Sequence, residues 1–187
     1  NDLDKSLPWR YGISRSVQLD MNEGGEWTEI PNIGRIWRAA IKSPDAINLS
    51  INFENFYLPL GATLHLYNED RSDISKTYSS AQNRQNNQVA SWYISGDLIW
   101  IEYFVPDYVT EEAQLEIGSI IHGYRLGRIR QYVQNTRGLN DSGDCNFDVN
   151  CPIGADFDDK KDVVKKTVAL LTLGNGYLCS ASLMNNT

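Results

Sequence analysis

The chain has 187 residues and a mass of 21.2 kDa, with 41% hydrophobic and 22% charged residues. That length admits one large domain, or a medium domain with part of another, and the composition excludes wholesale disorder. A net charge of −7 repels phosphate backbones and argues against nucleic-acid binding, and no apolar run approaches the ~20 residues of a membrane span.

The opening, Asn1 to Arg10, is polar and charged. It has no apolar core of a secretory leader, so the protein is either cytosolic or already processed. From there to residue 137 the pattern is β-structure. Ile36 to Ile41, around Trp37, reads as a strand, and Lys42-Ser-Pro-Asp45 as a turn. Asp45 to Phe53 is the clearest strand: Ile47, Leu49, Ile51 and Phe53 alternate with Asn48, Ser50 and Asn52, which predicts one buried and one solvated face. Leu58-Pro-Leu-Gly61 breaks the chain before Thr63 to Tyr67, whose Leu64 and Leu66 share a face. Leu98 to Val105 is apolar on both faces apart from Glu102, which predicts a central strand between the Gly96-Asp97 turn and Pro106. Gln114 to Ile121 is a further strand. Strand contexts place Trp27, Trp37, Trp92 and Trp100 in the core.

Ser72 to Gln88 is polar and reads as an exposed loop. After Tyr124 the composition changes. Arg125, Arg128, Arg130 and Arg137 precede Gly138-Leu-Asn-Asp-Ser-Gly-Asp144, a linker and a target for proteolysis. Asp156 to Lys166 is strongly charged. Thr167 to Leu173 is an apolar strand, Gly174-Asn-Gly176 a turn, and Tyr177 to Met184 a return strand. A lone hairpin is marginal, so this segment resembles the opening of a second domain.

The usual catalytic strings are missing: no CxxC, HExxH, P-loop or GxSxG occurs. His65 and His122 lie within strands and read as structural. Cys145 and Cys151 do not have zinc-site spacing. The acidic groups Asp141/Asp144/Asp148 and Asp156/Asp158/Asp159 lack the glycine and glutamate of a calcium loop and read as solvated surface. Neither metal nor cofactor is expected. Sequons at Asn48, Asn140 and Asn185 fit chance in an Asn-rich chain. The most specific string is Cys145-Asn-Phe-Asp-Val-Asn-Cys151-Pro152, two cysteines that read as separate anchors rather than a pair.

Ser142-Gly-Asp-Cys-Asn-Phe-Asp-Val-Asn-Cys-Pro152 resembles the mature N-terminus of the lysyl endopeptidases, secreted bacterial serine peptidases of trypsin-like fold. Val168 to Asn186 resembles the first hairpin of trypsin-like proteases, with Ala181 where that family usually has glycine. The resemblance implies that Cys145, Cys151 and Cys179 form disulfides with partners beyond Thr187, and that the Ser-His-Asp triad lies there too, so no residue of this chain is catalytic. It implies that residues 1–137 are a pro-domain that assists folding and latency, and that 138–187 open the protease domain. Trp37-Arg38, Ser43-Pro44 and Gly61 to Tyr67 resemble such pro-domains less specifically. The expected fold is all-β: a jelly-roll-like antiparallel sandwich followed by the first strands of a trypsin-like barrel. Arg137-Gly138 is the candidate processing bond, with Arg128 and Arg130 as alternatives. The parent is expected to be exported through a bacterial secretion route into an oxidising compartment, with its leader removed. Its partners would be the rest of the protease domain, peptide or protein substrates, and secretion machinery.

Two functions follow. In the first, the chain is the zymogen portion of a secreted endopeptidase that cleaves after a basic residue and is inactive alone. In the second, it is a non-enzymatic sandwich that binds carbohydrate or protein through exposed aromatics or the Gln82–Asn87 loop.

Overall fold

The computed structural model describes residues 9–125 and 158–183. Its strands are β1 (Trp9–Arg10), β2 (Gly12–Asp20), β3 (Glu26–Ile30), β4 (Gly34–Lys42), β5 (Asn48–Tyr57), β6 (Thr63–Tyr67), β7 (Val89–Ala90), β8 (Ile94–Ser95), β9 (Leu98–Pro106), β10 (Gln114–Gly123), β11 (Val168–Leu173) and β12 (Tyr177–Ser182). One 3-10 turn covers Ser80–Gln82, and one α-helix, α1, covers Asp158–Thr167. Two compact units divide the chain. The first is Arg10–Gly127 together with Gly174–Tyr177; the second is Asn1–Trp9, Arg128–Leu173 and Leu178–Thr187.

The first unit is two antiparallel sheets, in the orders β2-β10-β5-β7, with β8 also on β5, and β3-β4-β9-β6. Each presents alternate residues to one shared core. Leu49, Ile51 and Phe53 of β5 and Ile117 and Ile120 of β10 meet Trp37 and Ala39 of β4, Ile99 and Ile101 of β9, and Leu64 and Leu66 of β6. β9 lies between β4 and β6, as its two apolar faces predict. The buried indole of Trp37 donates its N–H to the Gly24 carbonyl at 2.9 Å, which satisfies the one polar atom it brings inside.

Two departures have physical causes. Phe53 and Phe56 are three residues apart, so strict alternation would put them on opposite faces, yet both are buried, with rings 5.2 Å apart in an edge-on arrangement. Glu54 on β5 and Gly118 on β10 are skipped in the register, and this bulge resets the alternation. The predicted tryptophan core is also corrected. Trp37 is buried and Trp100 half-buried, but Trp27 on the edge strand β3 is 40% exposed and Trp92, between β7 and β8, is 39% exposed.

Among the described residues of the second unit, the charged run Asp158–Thr167 forms α1. Asp158 and Asp159 occupy its first turn, where carboxylates oppose the positive end of the helix, and Lys161 pairs with Asp158 at 2.5 Å. β11 and β12 are hydrogen-bonded neighbours joined by Gly174–Gly176. All-β is therefore correct apart from α1, and neither sheet of the first unit closes into a barrel. No helix among the described residues is long and apolar enough to cross a membrane.

Candidate functional site

The face of β5 expected to meet solvent does not. Asn48 is 0% exposed and Ser50 is buried beside it, so of the three polar residues only Asn52 keeps partial exposure, while Ile47, expected inside, is exposed. The register explains the smoothness of this face: Asn48 opposes Gly123, which opposes Gly12, and Asn52 opposes Ser119. The glycine pair leaves room for flanking groups. Asn48 fills part of it and donates its Nδ2 to the Arg125 carbonyl at 2.5 Å. Burial of Asn48 also removes its sequon from reach of a glycan in the folded chain.

Tyr11 closes over the same face. Its ring is buried against Tyr93, with centroids 6.3 Å apart, and its hydroxyl lies 3.3 Å from Ser50 Oγ. Burial raises the phenol pKa, opposed by the Ser50 contact. The Tyr11 carbonyl accepts from the Tyr124 and Arg125 amides at 3.0 and 3.2 Å. Gly174–Tyr177, part of the same compact unit, completes the arrangement. The Asn52 amide nitrogen donates to Ser119 Oγ at 3.0 Å and to the Gly174 carbonyl at 2.8 Å, which uses both of its hydrogens. The Tyr11 and Gly12 amides both point at the Gly176 carbonyl, at 2.8 and 3.2 Å. The Arg10 guanidinium stands 5.6 Å from the Tyr177 ring centre. The sequence signal for this site was a strand face of short, uncharged side chains from Asn48 to Asn52, which allows close approach.

Two other clusters carry titratable groups. Ser43 Oγ lies 2.8 Å from His122 Nδ1, the reach of a nucleophile and its base. Ser43 is 3% exposed, so a substrate carbonyl has no access, and the pair instead ties the turn after β4 to the end of β10. Burial, then the charge of Arg15, lowers the His122 pKa against the opposing pull of Asp45. On the outer face of the second sheet, Glu102 Oε2 accepts from Arg38 Nε at 2.7 Å, Tyr67 OH at 3.0 Å and Arg71 at 3.5 Å. Burial raises the Glu102 pKa, but these bonds and the charges of Arg38 and Arg71 outweigh it, so the net shift is downward. A carboxylate held by three donors is a structural hub rather than a general base. Among the described residues no group of three or more His, Cys, Asp or Glu is placed to hold a metal.

Cys179 lies on β12, exposed, and forms no disulfide among the described residues. Cys145, Cys151, Arg128, Arg130, Arg137 and Gly138 lie outside the described residues, as do Asn140 and Asn185. His65 is on β6 and contacts Thr77 Oγ1 at 3.2 Å. Of the sequence-predicted site residues only Cys179 lies among the described residues, and the described residues bring together Tyr11, Gly12 and Asn52. Residues 139–187, roughly a quarter of the chain, match the family model described as lysyl endopeptidase, C-terminal domain, so the chain carries a lysyl endopeptidase-like segment.

Proposed function

We propose that the chain is the zymogen portion of a secreted trypsin-like serine endopeptidase that cleaves after a basic residue. Residues 1–137 form a pro-domain of jelly-roll type that assists folding and latency, and 138–187 begin the protease domain. The match of residues 139–187 to the lysyl endopeptidase model carries this reading. The order β2-β10-β5 facing β4-β9-β6 supports the pro-domain fold. Val163, Val168, Leu171 and Leu183 are exposed on α1, on β11 and just after β12, which supports a larger protease domain that covers them. In that domain the Ser-His-Asp triad and the partners of Cys145, Cys151 and Cys179 follow this segment, and Arg137-Gly138 is the processing bond. The compartment is extracellular and oxidising.

The alternative binding module gains little from the exposed tryptophans. The Arg35 guanidinium covers Trp27 at 4.4 Å, and Trp92 stacks on Tyr93 at 4.9 Å, so each ring has one face occupied. A chromogenic lysine substrate tests the proposal. A longer precursor should hydrolyse it after maturation, with a new N-terminus at Gly138, and the 187-residue chain should not. Turnover by the purified chain, or none by a matured precursor, overturns the proposal.

A further inference from the structure

The polar outer face of the five-stranded sheet holds the turn Gly174–Tyr177, which lies within the lysyl endopeptidase-like segment and within the same compact unit as the sheet. We propose that Tyr11, Gly12 and Asn52 form a clamp that recognises this turn through its main chain. The inference rests on the zymogen reading and adds the residues that do the holding.

Three features carry it. The bonds are main-chain directed: Asn52 Nδ2 to the Gly174 carbonyl, and the Tyr11 and Gly12 amides to the Gly176 carbonyl. Such bonds read the shape of a turn rather than its side chains. Asn175, between the two glycines, is exposed. The clamp is also preorganised. Ser119 accepts the other Asn52 hydrogen, and Tyr11 is fixed by the Ser50 contact, by burial and by two bonds to its carbonyl. Fixed donors lose little freedom when the turn is held. Finally, the fit demands glycine. Gly176 has φ +88°, and a Cβ there would collide with the Gly12 carbonyl oxygen.

The geometry also separates what the clamp tolerates from what it does not. Position 175 is exposed, whereas any side chain at 176 must both strain the backbone and push the turn off the Tyr11 and Gly12 amides. Loss of the Asn52 amide removes one bond of three and leaves Ser119 facing a half-exposed gap that water can fill.

Amide hydrogen exchange on the 187-residue chain tests the clamp, with Gly176→Ala and Asn52→Ala compared with Asn175→Ser. In Gly176→Ala the Tyr11 and Gly12 amides should exchange on the order of tenfold faster, as expected for a local opening made easier by the loss of bonds. In Asn52→Ala the same amides should speed up by roughly threefold, in keeping with one lost bond. Asn175→Ser should leave both unchanged, and the Leu49, Ile51 and Ile101 amides should not respond in any variant. If Gly176→Ala does not fold, Asn52→Ala decides alone. Tyr11 and Gly12 exchange that is already fast in the unaltered chain, or equal in all variants, overturns the clamp. The readout needs no peptidase activity: an inactive matured precursor would sink the zymogen reading and leave the exchange result, and so the clamp, intact.

Discussion

The two units differ in how far they bury their apolar residues, although Leu178 of the second unit is buried. In the sandwich, Leu49, Ile51, Phe56, Leu64, Leu66, Ile99 and Ile101 have no exposed surface at all. In α1 and the β11–β12 hairpin, Val163, Val168, Leu170, Leu171 and Leu183 all remain exposed. Leucine is common to both sets, with Ile and Phe in the sandwich and Val outside it. The difference is a second layer: each sheet of the sandwich has a facing sheet, whereas among the described residues of the other unit no second sheet faces β11 and β12. Burial is a property of the partner surface as much as of the residue.

Substitutions on the two sides should expose that contrast. The largest effect is expected for Trp37→Ala, which empties a fully enclosed site and removes the bond to the Gly24 carbonyl. It should destabilise the sandwich by about 3–5 kcal/mol in urea unfolding. A cost under about 1 kcal/mol would mean that the core relaxes around the cavity.

Glu102→Gln comes next. It leaves Arg38, Arg71 and Tyr67 without their shared carboxylate, on a partly exposed site, and should cost about 1 kcal/mol at neutral pH. The folded state holds Glu102 below its ordinary pKa. Its contribution is thus complete above the ordinary carboxylate range, near ~4.3, and is lost as pH falls through the folded value. Acid titration of unfolding should therefore be shallower in the variant; an unchanged acid limb would show that the cluster adds nothing.

His122 acts in a higher window. Because the fold lowers its pKa, the unfolded chain binds the proton more readily, and stability declines as pH drops from about 6.5 toward the folded value. A His122→Gln variant should lose this slope, measured as unfolding free energy at several pH values. If the slope stays, another group is responsible.

The smallest effects belong to the other unit. Leu171→Ser replaces a side chain that is already 46% exposed and should change stability by no more than about 0.5 kcal/mol, while it reduces binding of a hydrophobic dye. A large loss of stability there would mean that the hairpin is covered after all. Cys179, exposed on β12, should react with an alkylating agent in the native chain without denaturant, and the modified peptide is identified by mass spectrometry. Protection of this thiol would count against its exposure.

Much of the sandwich is legible from the letters because alternation is a local property. Leu64 and Leu66, Ile99 and Ile101, and the turns at Gly61 and Gly96 follow from period two and from residues that tolerate left-handed backbone, and the structure keeps all of them. β2 and β3 were not foreseen, since edge strands bury few residues and show a weak period. α1 escaped because its charged run has no clear apolar stripe and draws instead on its acidic first turn. The lysyl endopeptidase-like character of residues 139–187 was readable as well, because a cysteine string and a hairpin motif survive as letters. What the letters could not contain is the role of Tyr11, Gly12 and Asn52. They lie far from Gly174 and Gly176 in sequence, and only the pairing of β2, β10 and β5 lines them up on one face. Period two decides which residues share a face, but only the tertiary structure decides what that face meets.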